Sequence, residues 1–155
     1  MKKTISIATR SAVLCAVLLG AVSIARTEEP LPAAYRAAKA ALESGDAAKT
    51  VAILEPRLPE AKGEQRGAVL FTLGVALLKL DRPADAEQRL TEAKALFENQ
   101  PKLAEIWALL GDARAAQSKP IDAAKAYDEA VRAGGATPDA SAVRYASARG
   151  AELAA

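Results

Sequence analysis

Residues 104–133 read AEIWALLGDARAAQSKPIDAAKAYDEAVRA. Two stretches with helical apolar spacing flank Ser118-Lys119-Pro120, so the segment is expected to fold as two antiparallel helices joined by a short turn. Trp107, Leu110 and Arg114 follow the i, i+3, i+7 spacing of one helix face, and Tyr127 and Ala130 share a face of the second helix. The same positions recur 37 residues upstream: Gly111 corresponds to Gly74, Ala123 to Ala86, Tyr127 to Leu90 and Ala130 to Ala93. Self-similarity at a period of this size marks stacked helical hairpins. Gly111 precedes Ala123 by twelve residues, as Gly74 precedes Ala86. In a hairpin these small residues are expected to face each other where the helices cross, so that the backbones approach closely and larger neighbours interlock.

The order Trp107-x2-Leu110-Gly111, then Ala123-x3-Tyr127-x2-Ala130, resembles the tetratricopeptide repeat. Two features depart from that pattern. Arg114 stands where an aromatic is usual, and the closing proline is displaced, with Gly134-Gly135 first and Pro138 later. The resemblance implies an all-α, right-handed α-solenoid of about three hairpins plus a C-terminal capping helix. It also implies a concave side, built from the first helix of each hairpin, where a peptide lies.

Working outward, the expected repeats are approximately 32–59, 64–98 and 101–134, with a capping helix at 138–154, all within one domain at 32–155. In the first repeat Ala38 stands where Gly74 and Gly111 stand, and Thr50 where Ala86 and Ala123 stand. Gly45-Asp46 ends one helix and caps the next, since an Asp oxygen accepts from first-turn amides. Glu60 to Arg66 reads as a polar loop and Ala68 to Leu80 as an apolar helix. Thr137-Pro138-Asp139 offers a cap, a first-turn proline and an acid for the last helix. Much of the 51% apolar fraction is alanine, which favours helix without burying much area. The core is therefore expected to depend on Leu54, Leu70, Leu73, Leu90, Leu96, Trp107, Leu110 and Tyr127.

Residues 1–25 have the form of a secretory signal peptide. Lys2, Lys3 and Arg10 give a basic start, Ser11 to Ala25 is apolar or small, and Ser23-Ile24-Ala25 suits cleavage after Ala25. The alternative is an uncleaved anchor, for which fifteen residues are short of the ~20 a bilayer needs. Cys15 is preceded by Leu14 and followed by more apolar residues, which does not suit lipidation. Arg26 to Leu31 then forms a flexible lead. Loss of three basic residues takes the formal charge from +2 to about −1, leaving no excess of positive charge to attract nucleic acid. The expected address is periplasmic or secreted, with no membrane span after cleavage.

The inventory of chemical groups points away from an enzyme. The chain has no histidine, and its one cysteine is Cys15. That excludes Ser-His-Asp and thiol-His nucleophiles and zinc sites of the usual ligand kinds, and no catalytic, metal or cofactor residues are assigned. Paired carboxylates such as Asp128/Glu129 read as solvated helix faces. The glycines lack the spacing of a phosphate cradle.

What remains is a surface for another chain. Helical phase assigns Tyr35, Lys39 and Leu42 of the first repeat to the concave side. The second repeat adds Phe71, Val75, Leu78 and Lys79, and the third adds Glu105 and Asp112. Such a groove suits an amphipathic helix or an extended apolar peptide. Otherwise, Phe71, Val75 and Leu78 are simply covered by the neighbouring repeat or by residues 26–31. The expected role is an exported adaptor or scaffold for a partner protein in the cell envelope; the alternative is a structural protein that self-associates through the same apolar stripe.

Overall fold

The computed structural model describes residues 30–134 and, beyond them, Ala146, Ala148, Arg149 and Glu152. The expected signal peptide, most of the lead, Gly135 and the Thr137-Pro138-Asp139 helix start lie outside the described residues. The fold is all-helical, with no strand among the described residues. Within residues 30–134 six helices follow one another: α1 (Leu31–Glu43), α2 (Ala47–Leu54), α3 (Gly63–Lys79), α4 (Pro83–Leu96), α5 (Lys102–Ala116) and α6 (Pro120–Gly134). A 3-10 turn at Glu55–Arg57 extends α2, where Pro56 prevents a regular continuation.

The turns reveal a repeat in the backbone itself. Each of α1–α2, α3–α4 and α5–α6 is joined by three residues: 44–46, 80–82 and 117–119. Each turn holds one left-handed residue: Gly45 (φ 89°), Asp81 (φ 55°) and Ser118 (φ 58°). The amide after it donates to the carbonyl five residues back in every case: Asp46 to Ala41 (2.8 Å), Arg82 to Leu77 (3.0 Å) and Lys119 to Arg114 (3.0 Å). That is the Schellman closure of a helix C-terminus. The three closures are spaced by 36 and 37 residues, matching the side-chain repeat. Entry to the second helix also recurs. Asp46 accepts from the Lys49 amide at 2.9 Å in the first hairpin. Pro83 and Pro120 open α4 and α6, where a missing N–H costs nothing.

Packing runs between neighbours in sequence. The two helices of each hairpin pack together, α2 packs on α3 and α4 on α5, with lighter contact between α1 and α3 and between α3 and α5. Leu54, Leu70, Leu73, Leu77, Leu90, Ile106 and Leu110 are fully buried in one continuous core. A second, smaller cluster joins Ala108, Ala123, Tyr127, Ala130 and Ala146.

Three expectations are corrected. First, α3 begins at Gly63, not at Ala68; Gly67 is buried there because Phe97 presses on it, and a Cβ would meet the Phe97 ring at 2.7 Å. Second, Leu96 is 39% exposed, and Phe97, which lies just past the end of α4, is 7% exposed and takes the core position instead. Third, Trp107 is only half-buried, with Lys94 Nζ 4.2 Å from its ring centre, while its neighbour Ile106 enters the core.

The small-residue crossing is seen directly in one hairpin. In the first hairpin the expected pair touches, Thr50 Oγ1 donating to the Ala38 carbonyl at 3.1 Å. In the second and third hairpins the glycines make room for larger side chains one turn further on. A Cβ on Gly74 would stand 2.6 Å from Leu90 Cγ, and a Cβ on Gly111 would clash with Cδ1 and Cε1 of the Tyr127 ring. Ala86 and Ala123, one turn before Leu90 and Tyr127, are fully buried.

Candidate functional site: an apolar recess across the first helices

The amphipathic pattern of α1 leaves Tyr35, Lys39 and Leu42 along one edge, with Tyr35 and Leu42 half-buried against the core. On α3, Ala68, Phe71 and Thr72 face them, and the hydroxyls of Thr72 and Tyr35 lie 3.3 Å apart. These residues, with Glu43, Glu64, Phe97, Gln100 and Lys102, line an open recess of about 390 Å³. A second recess of about 590 Å³ adjoins it, lined by Leu31, Pro32, Arg36, Gln65 and Val69 and sharing Tyr35, Glu64 and Ala68 with the first. Tyr35 therefore stands between two halves of one groove.

Nine residues were expected to face a partner, and the recess gathers four of them: Tyr35, Lys39, Leu42 and Phe71. Glu105 reaches the rim indirectly, holding Lys102 at 2.7 Å while the Lys102 ammonium sits 4.2 Å from the centre of the Phe71 ring. Val75 and Leu78 are half-buried further along α3 and do not line the recess; neither does Lys79, exposed at the last position of α3. Asp112 accepts a hydrogen bond from Tyr127 Oη at 2.7 Å, which ties it to the third hairpin's interior packing.

Glu64, Thr72, Phe97, Gln100 and Lys102 are the recess residues that sequence phase did not supply. Lys102 opens α5 immediately after Pro101, so its place on the first turn was available from the proline. Phe97 and Gln100 belong to the connection between hairpins, where helical phase carries no information.

The electrostatics of the rim are balanced. Lys39 and Glu43 form a loose pair at 3.9 Å with side chains 62% and 68% exposed, an arrangement of little energetic weight. Lys102 over Phe71 adds a cation–π contact that shields part of the ring from water. Among the described residues no three carboxylates, histidines or cysteines gather where a metal ion could sit.

A separate polar cluster joins the second and third hairpins. Glu87 of α4 accepts from Arg114 Nε at 2.8 Å, Gln117 Nε2 at 2.8 Å and Lys119 Nζ at 3.4 Å. Burial pushes its carboxyl up, but hydrogen bonds from Arg114, Gln117 and Lys119, with the Lys119 charge, outweigh that and hold it below the ordinary carboxylate range. Arg114, the departure from an aromatic noted above, thus has an electrostatic task between hairpins.

No protein-family model matches this sequence, and no curated protein matches it.

Proposed function

We propose that this protein is an exported adaptor of the tetratricopeptide type, a right-handed solenoid of three hairpins with a C-terminal capping helix. In this reading it holds a partner protein or peptide of the cell envelope against α1 and α3. The observation that carries the proposal is the recess itself: Tyr35, Leu42 and Phe71 offer half-buried apolar surface with Lys39 and Lys102 at its rim. Apolar anchors with a polar rim are what peptide grooves need. The three equivalent turns support the repeat architecture, and the basic, then apolar, leader supports export to the periplasm or beyond.

The test replaces Leu42 and Phe71 with serine in the chain lacking residues 1–25. Capture of partner protein from an envelope extract should fall to background while the helical circular-dichroism signal is retained. Capture that persists with both residues changed would remove the recess as the binding site. Sedimentation of the unaltered chain is expected to give a monomer; a tight dimer lost with the same two substitutions would point to self-association instead.

A further inference from the structure

The seam between α4 and α5 is apolar at one end and polar at the other. Near the start of α5, Phe97 and Ile106 contribute large buried side chains. At the opposite end, the buried residues in the first turn of α4 and the last turn of α5 are Ala86 and Ala113, which bring little apolar area. There the Glu87 carboxylate gathers three donors from the α5–α6 turn region, and Gln117 Nε2 also reaches the Pro83 carbonyl at 3.4 Å and the Ala113 carbonyl at 3.1 Å. The Arg114 guanidinium adds a bond to the Asp122 carbonyl at 3.3 Å, so the cluster grips both helices of the third hairpin.

We infer that Glu87 is an acid-sensitive latch that fastens the turn end of the third hairpin to the second, and that its protonation frees that end while the first two hairpins stay folded. The groups facing Glu87 from α5 and the turn are Arg114, Gln117 and Lys119. On the other side of α4, the charged residues of α3 are Glu64, Arg66 and Lys79; Arg66 is bonded to Glu92, and neither Glu64 nor Lys79 bonds to Glu87. One carboxylate therefore meets two cations and an amide. Protonation turns one carboxyl oxygen into a donor and removes the charge that assists the remaining acceptor sites, so all three bonds weaken together.

The sign follows from the same contacts. A carboxyl held below its ordinary range contributes stability above its unfolded value, near 4.5, and that contribution is lost as pH falls through the folded value. In a chain of hairpins each unit is held chiefly by its neighbours, so weakening one seam loosens the units beyond it without unfolding those before it.

The experiment is amide hydrogen exchange on the full folded chain at about pH 6 and about pH 3, corrected for intrinsic exchange rates. Protection of residues 110–130 should fall about tenfold on acidification, with α1 to α3 unchanged. Glu87→Gln should show that reduced protection already at pH 6 and no further pH dependence. Arg114→Gln, which leaves the carboxylate in place, should move the acid transition to higher pH. Equal protection of wild type and Glu87→Gln at both pH values would overturn the latch. So would a loss in α1 to α3 as large as that in α5 and α6, or an acid transition that Arg114→Gln leaves where it was.

Discussion

The second and third hairpins carry glycine at the same place and fill the notch differently. Gly74 admits the branched end of Leu90, which can rotate; Gly111 admits the ring of Tyr127, which is fully buried and held by Asp112 at 2.7 Å. Among the described residues, the second hairpin packs against both the first and the third. The middle one can rely on apolar neighbours on both sides. The outer one joins the main core through Ile106 and Leu110, but around Tyr127 it has alanines, with the Asp112 hydrogen bond and the Glu87 cluster beside them. A repeat can thus keep its backbone while exchanging the forces that hold it.

The sharpest way to break this comparison is to add one methyl group to each notch. Gly111→Ala should destabilise by about 3 kcal/mol, because a hydrogen-bonded ring cannot give way, and Gly74→Ala by about 1–2 kcal/mol, because Leu90 can change rotamer. Urea unfolding of both variants would show equal losses if side-chain rigidity is irrelevant. A second contrast lies three positions before the leucine of the Leu-Gly pair. Leu70 is fully buried and Trp107 half-buried, so Leu70→Ala should cost about 3–4 kcal/mol and the larger truncation Trp107→Ala only about 2 kcal/mol. A reversed order in thermal unfolding would mean that Trp107 bears more of the core than its exposure implies. The smallest effect belongs to the turns. Ser118→Gly should stabilise by about 0.5–1 kcal/mol by removing the left-handed penalty, and Asp81→Gly by less, since aspartate tolerates that conformation better. A loss of melting temperature in Ser118→Gly would show that the turn is not strained as its φ indicates.

Much of the helical order was legible because it is written in local chemistry. Gly45-Asp46 and Ser118-Lys119-Pro120 each act within a few residues, so those two turns fall where they were expected. The end of α4 was misread for a physical reason. Leu96 continues the helical phase, but the helix stops there, and the change of direction turns Phe97 inward. Sequence phase cannot follow a chain past the point where it ceases to be a helix. The glycine notches were placed correctly; because a helical side chain leans towards the preceding turn, it is Leu90 or Tyr127 that reaches back over each of them. Glu87 was not legible at all. Its donors lie 27 to 32 residues away, and nothing local distinguishes it from Asp85 or Glu92. The recess was half legible: Tyr35, Lys39, Leu42 and Phe71 follow from helix faces, whereas Lys102, Phe97 and Gln100 come from the joint between hairpins.

Trp107 is the chain's single tryptophan, and it packs against both apolar clusters with an ammonium resting on its ring. The protein therefore carries its own fluorophore at the seam where the third hairpin meets the rest. Parting of that seam would bring water to the indole and red-shift its emission, whereas changes confined to the first hairpin would leave the light it gives off untouched.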